Sequence, residues 1–285
     1  MKFLVIGCNG MAGHVISIYL YEQGHEVVGY ARQKSKFVKT VIGDARDFQF
    51  LRDAIYKGEY DTVINCVGLL NQFAENDHAN AVLINGYLPH YLADITKNTD
   101  IQVIHMSTDC VFSGKKGGYT EESIPDGRLF YDRTKAMGEI EDDKNVTFRN
   151  SIIGPDIKKD GIGLLNWFMQ QKTTVNGFTG AIWTGQTTLQ MAKTIEEAAK
   201  RRTHGLFNAV PNEKINKYEL LNLFNKYIRK NKINIVPVDR FVADKSLIRT
   251  RFDEFDYIIP GYDKMIKELG EWMRDHKDLY THYEL

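Results

Sequence analysis

An α/β fold, a doubly wound parallel sheet with a smaller mixed α/β lobe, follows from three features of this 285-residue chain. Short β-branched runs alternate with helical periodicity over the first 150 residues, the order that builds a parallel sheet with right-handed crossovers. A glycine pattern, Gly7-x-x-Gly10-x-x-Gly13, joins the first apolar run to the first helical stretch. The run at 61–67 is apolar almost without interruption, as expected of a strand covered on both faces.

In order, 2–7 reads as a strand and 11–23 as a helix whose Val15, Ile16, Tyr19 and Leu20 share one face. Strands at 25–32 and 40–43 follow, then a helix at 47–57. After the strand at 61–67 come a helix over 78–97, with Val82, Leu83, Leu88, Leu92 and Ile95 inward, a strand at 101–106, a helix over 131–141 and a strand over 146–153. Residues 1–150 are therefore expected to form a nucleotide-cofactor domain of Rossmann type. Beyond Gly154 the pattern turns irregular, with helices at 161–171, 188–200, 217–229 and 263–273 and strands at 205–210 and 234–238. Residues 151–285 are expected to form mainly a substrate-binding lobe, with some segments returning to the first domain.

A chain of this length buries roughly 75% of its unfolded surface, so it needs no disulfide or metal staple. The three cysteines, Cys8, Cys66 and Cys110, each adjoin an apolar run and read as small core hydrophobes, a usage that suits a reducing cytosol. The first strand is too short for a signal peptide and no apolar run approaches ~18 residues. The expectation is a cytoplasmic protein with no membrane partner. A net charge of +0 with interspersed signs supplies no basic field for nucleic acid, and the Lys/Arg run at 226–232 reads as a solvated helix end.

The glycine turn at Gly7, Gly10, Met11, Ala12 and Gly13 suits a dinucleotide. Glycine permits the sharp turn and the close approach of a pyrophosphate, which the N–H groups of the helix start then face. At the end of the second strand, where an acidic residue would hold a ribose 2′-hydroxyl, the chain has Arg32, followed by Lys34 and Lys36. Arg32 suits a 2′-phosphate by a two-pronged contact, which favours NADPH, with NADH the alternative; a plain surface arginine is the competing reading. Asp44-Ala45, after the third strand, is placed for an adenine amino group or for a loop cap. Cys66-Val67-Gly68 closes the fourth strand with small residues along the path of the cofactor.

Ser107-Thr108-Asp109 ends the strand at 101–106, and Tyr131 stands four residues before Lys135 on a helix. Spacing i, i+4 puts the last two on one helix face. A tyrosine has an ordinary pKa near ~10, and a neighbouring ammonium would lower it. Reduction of a carbonyl then assigns Tyr131 as acid, Lys135 as its tuner and ribose holder, and Thr108, with Ser107 as understudy, as the hydroxyl that polarises the carbonyl. Trp183 offers a stacking face for sugar or base, with a core role as the alternative.

The chain resembles the extended short-chain dehydrogenase/reductases, and within them the dTDP-4-dehydrorhamnose reductases. The resemblance is carried by the run 7–13, by Asp61-Thr62-Val63-Ile64-Asn65, Ile84-Asn85-Gly86 and the run 107–114, and by Tyr119-Thr120-Glu121-Glu122, Pro125, Tyr131-x-x-x-Lys135-x-x-Gly138-Glu139 and Phe148-Arg149-Asn150-Ser151. It is close over about the first 155 residues and loose beyond. It implies NADPH- or NADH-dependent reduction of the C4 ketone of a nucleotide-linked 4-keto-6-deoxy-L-hexose for surface-polysaccharide precursors. Thr108 and Asp109 would then contact substrate and Tyr131 would donate the proton. Ile152-Ile153 stand where that family has a sugar-contacting Trp, and 176–185 departs from its usual run, which keeps a UDP-linked N-acetylated 4-keto-sugar in view. A dehydratase of the superfamily would have a glutamate where this chain has Cys110; an epimerase, or a regulatory subunit without catalysis, is a further alternative. The family's occasional magnesium at a dimer contact has no counterpart here, since His14 and Lys193 offer no replacement ligands, so no metal is expected. A homodimer is the candidate assembly.

Overall fold

The computed structural model describes residues 1–285. The first half runs β1 (Lys2–Ile6), α1 (Met11–Glu22), β2 (Glu26–Ala31), β3 (Lys39–Ile42), α2 (Phe48–Gly58), β4 (Thr62–Asn65), α3 (Asn71–Asn76), α4 (His78–Ala81), α5 (Leu88–Thr96), β5 (Gln102–Met106), α6 (Phe130–Met137) and β6 (Val146–Arg149). The second runs β7 (Ile152–Ile153), α7 (Leu164–Met169), β8 (Thr174–Phe178), β9 (Ala181–Trp183), β10 (Gln186–Thr187), α8 (Thr188–Arg201), β11 (Gly205–Asn208), β12 (Ile215–Asn216), α9 (Lys217–Tyr227), β13 (Asn234–Val238), β14 (Ala243–Asp244) and α10 (Tyr262–Asp275).

Seven strands form one sheet in the order β3-β2-β1-β4-β5-β6-β11, every neighbouring pair parallel. The strand order reverses between β1 and β4, which places a crevice beyond their carboxyl ends, where doubly wound sheets bind ligands. Alternation along β1 sends Phe3 and Val5 into one core and Leu4 and Ile6 into the other, so the strand is apolar at every position. The larger core runs without a break from that sheet face through α1 and α8 into the second half, taking in Phe168, Trp183, Phe224 and Met273. No helix is long and apolar enough to cross a membrane.

The chain leaves the sheet after β6 and returns to it once. Helix α8 packs on α1, where Glu196 accepts from Tyr19 Oη and contacts His25 Nε2, both at 2.9 Å, and β11 then pairs with β6. The remaining strands make three small sheets, β7 with β10, β12-β9-β14, and β8 with β13. They stand beyond the carboxyl ends of β5 and β6.

Among the boundaries that differ from the sequence expectation, three have a visible cause. The helix over 78–97 is interrupted by a π-helical turn, Val82–Tyr87. Pro89 lacks the N–H that the carbonyl of Asn85 would accept from, and the wider turn relieves the clash. Asn85 uses the space to bond Leu69 N at 2.8 Å and Leu69 O at 2.9 Å. The helix expected to reach 141 stops at Met137, because Gly138 lies against the Asn85 carbonyl so closely that no Cβ fits there. The strand expected over 146–153 breaks after Arg149. Asn150 O accepts from Asp109 N at 3.2 Å and Ser151 O from Gln186 N at 2.9 Å, which turns the chain out of the sheet and into the second half.

Candidate active site

Gly7 follows β1 in the left-handed region, φ 83°, and a Cβ at Gly13 would overlap the Gly7 carbonyl oxygen. The turn is therefore closed to any other residue type at these two positions. Gly10, the residue before α1, supplies no side-chain cap, so the first-turn N–H groups of Met11, Ala12 and Gly13 point outward with the positive end of the helix dipole. On the opposite wall, Val67 leaves no more than 2.9 Å between its Cγ2 and a Cβ at Gly7, and Cys66 continues β4. The cradle is narrow, backbone-lined and free of side-chain bulk, and it fits a pyrophosphate.

Arg32 lies exposed just past the end of β2, with Lys34 and Lys36 also exposed. Asp44 spends both oxygens on Arg46. Oδ1 accepts from Arg46 N at 2.9 Å and Nε at 3.0 Å, and Oδ2 from Nη2 at 2.6 Å. Arg46 holds its carboxyl down to about 2. This is the loop-cap arrangement, and an adenine contact would have to share those lone pairs. The Ala45 methyl packs into the smaller core, so only its backbone can face a ligand. The Cys66 thiol is pushed up to about 12 by burial and donates to Met106 Sδ at 3.7 Å; it packs as the small hydrophobe expected.

The second part of the site sits at the carboxyl end of β5. Ser107, Thr108, Asp109, Tyr131 and Lys135 are each less than a tenth exposed. Thr108 Oγ1 accepts from Cys110 N at 3.1 Å and donates to Asp109 Oδ1 at 3.2 Å. Lys135 Nζ donates to the Met106 carbonyl at 2.7 Å, and burial pulls its pKa down to about 8. Burial and the neighbouring Cys110 push the Tyr131 phenol above its ordinary value, opposed by the nearby Thr108 hydroxyl. The sequence reading expected Lys135 to lower the tyrosine pKa. In this geometry the ammonium is bonded to a backbone carbonyl, and burial of the phenol sets the direction of its pKa.

Ser107 differs from its reading as understudy. Its hydroxyl donates to Glu139 Oε1 at 2.7 Å, so its one proton is not free for a carbonyl. Glu139 also accepts from Arg149 Nε at 2.8 Å and Nη2 at 2.7 Å, a buried two-pronged pair that braces the ends of β5 and β6. Trp183 is 4% exposed, with Tyr262 on its ring at 5.6 Å and the Lys217 ammonium 5.0 Å from its centroid. Its core alternative describes it better than a stacking face for a ligand.

Three residues of the site carry no mark in the sequence. Glu75 Oε1 on α3 accepts from Tyr131 N at 3.0 Å and fixes the start of α6. Lys217 opens α9, where Asn216 and Glu219 form a capping box, and Lys245 follows β14. Both lysines act on the buried Asp109, whose carboxyl burial pushes up. The capping box marks a helix start in the sequence, but nothing there says that its first residue faces Asp109.

Similarity to known proteins agrees with this geometry. The family model described as RmlD substrate binding domain matches residues 1–252. The chain is 34% identical over 143 residues to a probable low-salt glycan biosynthesis reductase of Haloferax volcanii, covering 49% of this chain and 48% of that one. It is 30% identical over 140 residues to a dTDP-4-dehydrorhamnose reductase of Streptomyces griseus, covering 48% and 43%. The matched stretch thus spans about half the length of these curated relatives. A crystal structure titled a hypothetical dTDP-4-dehydrorhamnose reductase, from Sulfolobus tokodaii, superposes with a TM-score of 0.76 at 26% identity over 92% of this chain and 98% of that one. With the cradle at β1, the Tyr131–Lys135 pair at β5 and a family match that runs through both, the chain belongs to the RmlD substrate-binding-domain family.

Proposed function

We propose that this protein is an NAD(P)H-dependent reductase, with NADPH preferred, of the C4 ketone of a nucleotide-linked 4-keto-6-deoxyhexose. The observation that carries the reading is the burial of Thr108, Tyr131 and Lys135 at the end of β5, beside the crevice that the glycine turn opens at the end of β1. A bound nicotinamide would supply the hydride. The chain supplies the rest. Tyr131, kept protonated by its buried setting, is in the form that donates a proton to a carbonyl oxygen. Thr108 presents a hydroxyl beside it that donates to Asp109 Oδ1 at 3.2 Å, a long bond that it would give up to a carbonyl oxygen to stabilise developing charge. Lys135, one helical turn on from Tyr131 and anchored on Met106 O, would hold a ribose through its ammonium.

The names of the two curated relatives, a glycan biosynthesis reductase and a dTDP-4-dehydrorhamnose reductase, support a role in polysaccharide precursor synthesis. Cys110 supports reduction over dehydration. Its thiol is pushed up to about 12, which leaves it too weak an acid or base to stand in for a carboxylate at neutral pH. The test is incubation with NADPH and a panel of dTDP- and UDP-linked 4-keto-6-deoxyhexoses. Stoichiometric loss of NADPH absorbance with one of them is the expected result. Conversion without net loss of NADPH would replace the reading by an epimerase or dehydratase, which regenerates its cofactor.

A further inference from the structure

His14 stands one turn into α1, fully buried, with both ring nitrogens engaged. Nδ1 lies 2.9 Å from the Gly10 carbonyl oxygen and Nε2 2.7 Å from Tyr280 Oη, 266 residues further along the chain. A carbonyl can only accept, so Nδ1 carries the proton, Nε2 is bare, and the tyrosine hydroxyl donates to it. Burial pulls the His14 pKa down to about 4, in keeping with a neutral ring.

The Gly10 carbonyl and the Met11 N–H are the two ends of one rigid peptide unit. Whatever fixes the direction of that carbonyl also fixes, on the opposite side, an N–H that the cradle turns toward a pyrophosphate. The carbonyl accepts from His14 N at 3.0 Å, an ordinary helical bond. The imidazole adds a second bond, and Tyr280 holds the imidazole.

A second tyrosine of the same segment reaches the neighbouring loop. Tyr283 is buried, its ring stacked on Tyr280 at 5.8 Å. Its Oη accepts from Asp156 N at 2.9 Å and donates to Asn166 Oδ1 at 2.6 Å. Asn166 Nδ2 in turn donates to the carbonyls of Lys159 at 3.1 Å and Gly161 at 2.5 Å. One phenol thus organises the loop between β7 and α7. That loop ends at Gly163, where an added Cβ would sit 3.1 Å from Met11 Sδ. The two phenols converge on Met11, one through its N–H and one through the loop against its side chain.

We propose that Tyr280 and Tyr283 are positioning residues for the dinucleotide cradle, so that the packing of segment 280–283 is coupled to cofactor affinity. The inference rests on the dinucleotide reading of the cradle and adds to it residues that touch neither cofactor nor substrate. A phenylalanine at either position would fill the same space, and only the bonds would go.

The test is NADPH affinity, read by cofactor fluorescence in the full chain, with melting curves to show that each variant folds. Tyr280→Phe and Tyr283→Phe should each weaken NADPH binding about tenfold and keep kcat at saturating NADPH within about twofold. Met273→Ala, which opens a cavity in the same core but removes none of these bonds, should lower the melting temperature and leave NADPH affinity unchanged. Because coupling is reciprocal, NADP⁺ should slow hydrogen exchange at the Tyr280 and Tyr283 amides of wild type. Nitrogen NMR of His14 should find Nδ1 protonated and Nε2 bare; the opposite tautomer would overturn the link through Tyr280. NADPH affinity within about twofold of wild type in a folded variant would strike that tyrosine from the brace, and an equal loss in Met273→Ala would overturn it altogether. A wild type that binds neither NADPH nor NADH would remove the dinucleotide reading, and the brace with it. Cofactor binding that depends on both tyrosines, with no turnover of any keto-sugar, would keep the brace and remove the reductase reading.

Discussion

Two ammoniums, Lys135 buried and Lys217 half-buried, stand on opposite sides of the site with their pKa pulled to about the same value, 8, by desolvation, yet they are held differently. Lys135, on the sheet side, is bonded to a backbone carbonyl of β5 at 2.7 Å, and its helix is fixed by Glu75 at one end and by the close approach of Gly138 at the other. Lys217, on the side of the second half, has an indole face and the field of Asp109. The sheet side is a finished arrangement that can act on any carbonyl placed there. The far side holds its cation over an aromatic ring, with no backbone carbonyl bonded to it. The contrast separates an anchored cation from an unanchored one, and four measurements test it.

The largest effect falls on the sheet side. Tyr131→Phe removes the proton donor and should lower kcat about 10²- to 10⁴-fold, with NADPH affinity, read by cofactor fluorescence, kept within a few-fold. Near-normal turnover in that variant would end the assignment of Tyr131 as acid.

Next is the brace beneath it. Arg149→Met leaves Glu139 buried without its cation and should cost about 3–5 kcal/mol of stability, measured by urea denaturation. Pairing it with Glu139→Gln should recover part of the loss, because no uncompensated charge then remains. If both variants unfold as wild type does, the pair does not brace β5 and β6.

The third measurement uses pH. Each lysine has an ordinary pKa of 10.5 in the unfolded chain and about 8 in the folded one. Between those values the unfolded chain binds more protons, so stability should rise with pH from about 8 to about 10.5, and the cost of burying the charge is present in full below about 8. Lys135→Met and Lys217→Met should each remove a similar share of that slope, while Lys135→Met alone abolishes turnover. Equal losses of turnover in the two variants would erase the distinction between the two sides.

The smallest effect concerns the donor. Arg32→Ala should raise KM for NADPH about tenfold and leave KM for NADH nearly unchanged, since only the former has a phosphate for the guanidinium. A parallel rise in both would assign Arg32 a structural role.

How far the sequence was legible follows from how local the forces are. The strand runs of β1, β4 and β5, covered on both faces, are readable because the apolar run itself is the signal. The glycine turn and the Tyr131–Lys135 spacing are readable because they encode backbone reach and helix pitch. The stop at Met137 was not legible, because it depends on the Asn85 carbonyl packed against Gly138. Ser107 looked like a spare hydroxyl until Glu139 and Arg149 came to rest beside it. Trp183 looked like a ligand platform until Lys217 and Tyr262 covered it.

The sequence by itself determined the parallel sheet, the cradle at Gly7–Gly13 and the residue types of the reducing site, since each is set by contacts within a turn or a helix face. The tertiary structure alone decided that β11 returns to the sheet beside β6, and that the charges of Lys217 and Lys245, from segments more than a hundred residues downstream, are felt at Asp109. Those placements are set by packing in the larger core, which joins α1, α8 and α10, and no local pattern of residues carries that information.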